Sequence, residues 1–196
     1  MKIYVFSDFH AQGDYLEEMQ VKAAQADLVI SAGDHSVFEF DQDNILQAFN
    51  NWNKPLLIIH GNHEEEGTLR QAVKKHPNLT FTHGEEIVKK GVRILFWGGG
   101  GFTSTDRALN KKVKEWKRSQ HARLPTVLVT HAPPHNTALD DIDGRHVGNK
   151  TIRKAIKQLK PRYAVSGHIH EAEGAEDNIG DTVCYNLGPR GRIITL

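Results

Sequence analysis

Five short apolar runs in this 196-residue chain each lead directly into side chains of the kind that bind metal ions. Lys2-Ile3-Tyr4-Val5-Phe6 runs into Ser7-Asp8-Phe9-His10, and Asp27-Leu28-Val29-Ile30-Ser31 into Ala32-Gly33-Asp34. Leu56-Leu57-Ile58-Ile59 precedes Gly61-Asn62-His63, Thr126-Val127-Leu128-Val129 precedes Thr130-His131, and Tyr163-Ala164-Val165 precedes Gly167-His168-Ile169-His170. A short continuous apolar run bounded by turn residues reads as a buried strand. A polar residue placed straight after such a strand is how an α/β sheet builds a site along its carboxyl edge. The arrangement therefore demands strands whose ends converge.

Helical periodicity fills the gaps between these runs. Residues 14–26 place Leu16, Met19 and Ala23 on one face, and 43–52 place Ile45, Ala48, Phe49 and Trp52 at helical spacing. Further helices are predicted near Leu69 and Val73, over 106–118 with Leu109, Val113 and Trp116 inward, and over 150–159, where Pro161 ends the pattern. The runs Leu79–Phe81, Ile87-Val88 and Val92–Trp97, separated by His83-Gly84 and Lys90-Gly91, predict antiparallel pairing through tight turns. Residues 132–148, rich in Pro, Asp, Gly and His, predict a long functional loop. Together these elements predict an α/β fold, a mixed β sandwich of two sheets flanked by helices, as one domain over residues 1–196.

Composition excludes several functional classes. A net charge of +1 disfavours a large nucleic-acid footprint, and no apolar stretch approaches the ~18 residues of a membrane-spanning helix. The one cysteine, Cys184, excludes an internal disulfide and lies in a strand-like run, so it reads as a buried thiol. The chain begins directly on a strand, and a cytoplasmic protein without a leader is expected.

Carboxylates at Asp8 and Asp34, imidazoles at His10, His131, His168 and His170, and the amide oxygen of Asn62 form a donor set without thiolate, suited to hard or borderline divalent cations. Two cations close together need a bridging anion, and a carboxylate can span them. Such a pair favours phosphate esters: it holds a phosphoryl oxygen, activates water and neutralises developing charge. His63, next to Asn62, is placed to protonate the leaving oxygen, with Glu64 as the adjacent carboxylate to assist it.

The ordered series Asp8-x-His10, Gly33-Asp34, Gly61-Asn62-His63-Glu64, His131 and Gly167-His168-x-His170 resembles the calcineurin-like metallophosphoesterase superfamily. The segment Tyr185-Asn186-Leu187-Gly188-Pro189 resembles the N-x-G ending of its small bacterial and archaeal phosphodiesterases. The resemblance implies a four-layer fold, one metal on Asp8, His10, Asp34 and His170, and a second on Asp34, Asn62, His131 and His168, with Asp34 bridging. It implies Asn62 and His63 as the catalytic side chains. Manganese is favoured as the cation, with iron, zinc, nickel or cobalt as alternatives. The sequence departs from the family after Gly33-Asp34, where His35 stands in place of an apolar residue.

His35, together with His135, Arg145 and His146 of the long loop, is expected to contact substrate. Gly98–Gly101 reads as a hinge or close-packing turn, and the cluster Lys111, Lys112, Lys114, Lys117 and Arg118 as a solvated face. The expected reaction is hydrolysis of a small phosphodiester. The alternatives are a nuclease, a monoesterase using Arg145, and a non-catalytic scaffold that would be expected to have lost ligands.

Overall fold

The structure is a computed structural model that describes residues 1–196. Strand β1 (Lys2–Phe6) is followed by α1 (Leu16–Ala24), β2 (Leu28–Ser31), α2 (Gln42–Asn50), β3 (Leu56–Ile58), α3 (Glu66–Val73) and β4 (Leu79–Phe81). These strands run parallel in the order β1-β2-β3-β4, the outcome expected of right-handed βαβ crossovers. The last strand of the chain, β13 (Arg192–Thr195), closes the sheet antiparallel to β1.

The second sheet is built around β6 (Val92–Trp97), β7 (Thr126–Thr130), β10 (Tyr163–Ser166) and β12 (Thr182–Asn186), also parallel. Helix α4 (Arg107–Arg118) joins β6 to β7, and α5 (Lys150–Leu159) joins β7 to β10. Antiparallel strands β5 (Glu86–Lys89) and β11 (Glu176–Ile179) form its two edges. Within residues 132–148 lie one turn of 3-10 helix over Ala138–Asp140 and a small hairpin, β8 (Asp141–Ile142) with β9 (Arg145–His146).

Side-chain alternation along these strands generates the layers. In β1, Ile3 and Val5 face the second sheet and join Ile94, Phe96, Val127, Val129 and Val165 in a core between the sheets. Tyr4 and Phe6 point the other way, against Met19, Leu46, Phe49 and Leu69 of α1–α3. On the far face of the second sheet, Leu95, Leu128, Ala164 and Cys184 pack under Leu109, Val113 and Trp116 of α4 and Ile152, Ala155 and Ile156 of α5. The result is helix, sheet, sheet, helix, with Trp52 and Trp116 both in the core as their spacing suggests.

One pairing differs from expectation. Lys90-Gly91, both with positive φ, does turn β5 back onto β6. His83-Gly84 does not make a hairpin: β4 belongs to the first sheet and β5 to the second, so this dipeptide carries the chain between sheets. Two short apolar runs separated by a glycine carry no mark of which sheet each joins. The chain also hides β11, whose sequence Glu-Asp-Asn-Ile shows no apolar alternation.

Phe96 is wholly buried between the two sheets. Phe96→Ala should destabilise the fold by about 3–5 kcal/mol, read as a lowered midpoint in urea unfolding with an unchanged slope.

Candidate metal centre

Every residue of the predicted donor set hangs from the carboxyl end of a parallel strand: Asp8 and His10 after β1, Asp34 after β2, Asn62 and His63 after β3, His131 after β7, and His168 and His170 after β10. The first three ends belong to one sheet and the last two to the other, so the cluster sits where the two carboxyl edges meet. Left-handed backbone at Asp8, His10, Asp34 and His168 turns these chain ends into the common space. Two glycines are required by close approach. A Cβ on Gly61 would lie 1.9 Å from Asp34 Oδ1, and one on Gly167 would lie 2.1 Å from Asp8 Oδ2.

The donor atoms converge on one another. His10 Nε2 and His170 Nε2 are 3.1 Å apart, with His170 Nε2 3.9 Å from Asp8 Oδ1 and His10 Nε2 3.9 Å from Asp34 Oδ2. His131 Nε2 lies 3.3 Å from the same Asp34 oxygen and 3.0 Å from Asn62 Oδ1. Three groupings result, each with donor atoms close enough to share one ion: Asp8, His10 and His170; His10, Asp34 and His63; and Asp34, His131 and His168.

Backbone contacts aim these groups. His131 Nδ1 is 3.0 Å from Ala32 O and His10 Nδ1 is 3.2 Å from Ser36 O, so each ring donates there and aims its Nε2 at the cluster. The carboxylate of Asp8 accepts from Ser7 Oγ and His168 N, and Asp34 Oδ1 accepts from His63 N, which leaves Asp34 Oδ2 facing His10, His63 and His131. His168 Nε2 is buried without any hydrogen-bond partner. Two imidazole nitrogens 3.1 Å apart, an orphan imidazole nitrogen and a carboxylate oxygen among three rings suit a bound cation better than any internal pairing.

Charge in the cluster follows from burial. Burial would raise the Asp34 carboxyl, but the charge and hydrogen bond of His131 and the His63 N–H outweigh it and hold it low. Burial would lower His131, yet Asp34, a hydrogen bond to it, and Asp8 push it up to about 9. His168 is pushed down to about 4 by burial and by the charge of His131, and His10 is lowered chiefly by burial.

Glu64 has a different place from the one expected. It is 5% exposed and accepts from Gly61 N at 2.9 Å and from Asp34 N, Ser36 N and Ser36 Oγ at 3.0 Å each. Its oxygens clamp the loop after β2 to the loop after β3 and do not partner His63. Asn186 does similar work opposite: its amide donates to Leu139 O and Ile169 O, tying the Gly167–His170 turn to the loop after β7.

Of the expected substrate contacts, His35 needs correction. His35 is completely buried with Nδ1 3.4 Å from Glu64 Oε1, out of reach of anything in the cleft. In the loop after β7, Asp140 accepts from Asn136 N, Thr137 N, Gly148 N and His146 Nδ1, so the His146 ring is engaged in holding the loop. The His135 ring packs on His146, Arg145 is exposed on the hairpin, and none of these three hydrogen-bonds or stacks with the donor cluster. Two aromatic rings border it, with the Phe38 ring 4.4 Å from His63 and the Phe102 ring 4.5 Å from His168. Sequence reasoning missed both, since each sits in an irregular loop. Gly98 and Gly99 pack against His60, as a close-packing turn should.

The chain belongs to the calcineurin-like phosphoesterase family, whose model matches residues 1–172. It is 34% identical over 122 residues to an uncharacterized protein of Methanocaldococcus jannaschii; the match takes in 55% of this chain and 54% of that protein, about half its length. In fold it is similar to a Thermus thermophilus protein of known crystal structure, at 13% identity and TM-score 0.76, over 95% of this chain and 88% of that one. A dimetal phosphatase from Danio rerio aligns at 10% identity and TM-score 0.67, over 96% of this chain and 87% of its own. At such identities the likeness is one of fold. Membership of the family supports metal-dependent hydrolysis of phosphate esters.

Two outcomes follow from the cluster. Ligands must be deprotonated to bind metal, and His131, at about 9, carries a proton at neutral pH while His168, at about 4, does not. Metal titration near pH 7.5 should therefore release about one proton, measured by calorimetry in buffers of different ionisation enthalpy. Glu64→Gln should leave a folded protein with metal affinity lowered about 10–100-fold, because an amide cannot accept all the N–H groups the carboxylate holds.

Proposed function

We propose that the cluster is the active centre of a phosphodiesterase that carries two divalent cations, manganese favoured, with Asp8, His10, Asp34 and His170 at one and Asp34, Asn62, His131 and His168 at the other. The observation that carries this is Asp34 Oδ2, a single carboxylate oxygen between rings that belong to both groupings. Bound there, the cations would supply Lewis acidity to a phosphoryl oxygen and a water of lowered pKa.

The chain's own residues do the rest. Asp34, held low and fixed by His63 N, stays anionic and would offset the repulsion between two cations held on either side of it. Asn62 Oδ1, 3.0 Å from His131 Nε2, adds a neutral oxygen where a third carboxylate would repel the substrate. His63 is the catalytic acid of the proposal. Its ring stands partly exposed beside His10 with Nε2 3.9 Å from Asp34 Oδ2, so it can hold a proton near that anion and give it to the departing oxygen. The presence of both His168 and His170 supports catalysis over a scaffold role. Arg145, exposed on its hairpin, gives no support to a monoesterase.

The test is hydrolysis of an aryl phosphodiester by metal-stripped protein before and after Mn²⁺ is restored. Activity should appear only with metal. His63→Ala should keep the metal and lose about 10²–10⁴ in kcat; unchanged kcat would remove His63 from the reaction, and absent turnover with metal bound would defeat the proposal.

A further inference from the structure

The net charge of +1 conceals a division of the chain. Residues 107–162 hold 14 Lys or Arg against 4 Asp or Glu, a formal +10, and the remaining residues hold 11 against 20, a formal −9. The positive segment contains α4 and α5, which pack on each other over the second sheet. Their apolar stripes share one buried cluster, so their polar stripes share one outward face. On that face Lys111, Lys114 and Lys117 of α4 and Lys150, Lys154 and Lys157 of α5 are all exposed. The one ion pair on either helix is Lys112–Glu115. The helices on the other side of the molecule carry Glu17, Glu18, Asp43 and Glu66, of which Glu18, Asp43 and Glu66 are paired with Lys22, Lys75 and Arg70, so the basic flank is the one that attracts an anionic polymer.

This face leads to the donor cluster. Helix α4 starts five residues after Phe102, whose ring is 66% exposed and lies against His168; α5 starts where the loop from His131 ends. At 12 residues, α4 extends the cationic surface about 18 Å from that rim. On the other side of the centre, Phe38 is 76% exposed and packs on His63, with positive φ at Phe38 and Glu39 holding it there. Cations tracking a backbone, with exposed aromatic rings where the chain must be presented, are what single-stranded nucleic acid requires. An anionic membrane would require apolar side chains beside the cations. The exposed large apolar residues are Val21, Val37, Phe38, Phe40, Val88 and Phe102, none of them on α4 or α5.

We propose that the outward face of α4 and α5 is a track for single-stranded nucleic acid, which presents one of its phosphodiesters to the centre with bases stacked on Phe102 and Phe38. The proposal rests on the phosphodiesterase assignment above and narrows its substrate class.

The experiment is fluorescence anisotropy of a labelled oligothymidylate of about 15 nucleotides with the protein as purified, the probe checked for integrity on a gel. Affinity should fall with salt at a log–log slope of about −3.5, the value for about five phosphates at −0.7 each. The combined variant Lys114→Gln, Lys117→Gln, Lys154→Gln, Lys157→Gln should bind at least about tenfold more weakly with a shallower slope, while its aryl diester turnover and melting temperature stay as in the parent. Phe102→Ala should weaken binding severalfold at every salt concentration and leave the slope unchanged. Parental affinity in the lysine variant, salt-independent binding, preference for a duplex of equal length, or capture of phosphatidylglycerol vesicles without oligonucleotide binding would each overturn the track. If no oligonucleotide binds while the aryl diester is still hydrolysed, the track alone falls. Oligonucleotide binding without any diester hydrolysis would defeat the reaction and leave the track.

Discussion

Negative charge buried at the meeting edge of two sheets is the constraint on which the rest of this structure depends. Asp8 and Asp34 are 4% and 2% exposed, and a carboxylate so placed is costly unless positive charge or hydrogen-bond donors surround it. The chain answers with backbone N–H groups, from His168 to Asp8 and from His63 to Asp34, and with imidazoles on the open side. A third buried carboxylate, Glu64, accepts from three backbone N–H groups and the Ser36 hydroxyl and holds the Asp34 and Asn62 loops in register. The unusual backbone conformations at Asp8, Asp34 and His168 persist because these contacts over-determine them.

How far the sequence reveals this depends on what each residue answers to. The donor set was legible because each member follows directly on an apolar run, and the run alone fixes a strand end. The helix stripes were legible because a buried face repeats at helical spacing, as Leu109, Val113 and Trp116 do in α4. Glu64 was misread because its partners are backbone N–H groups brought together by folding, while its neighbour in sequence, His63, is the obvious side-chain partner. His35 was misread for a related reason: a histidine near a site is equally suited to hold a loop, and only its burial separates the two. Strand β4 went to an unexpected partner because apolar alternation encodes burial, not sheet membership.

The same limit applied to charge. A sum over the chain is nearly zero, yet residues 107–162, which include both helices over the second sheet, hold a formal +10 and the rest a formal −9. Net charge is a statement about the far field; the near field is set by which residues the fold turns outward together. Here both basic helices sit on the second sheet because α4 and α5 are its crossovers, so topology gathered their lysines on one flank.

The donors are divided between the two halves of the sandwich, with Asp8, His10, Asp34 and Asn62 on one sheet and His131, His168 and His170 on the other. Whatever is bound among them is thus a rivet through the interface whose apolar filling is Ile3, Val5, Phe96 and Val129. Sliding or splaying of one sheet against the other would pull the rivet's two ends apart. Ions held there and the hydrophobic seam would therefore guard the same degree of freedom, and loss of either would loosen the other.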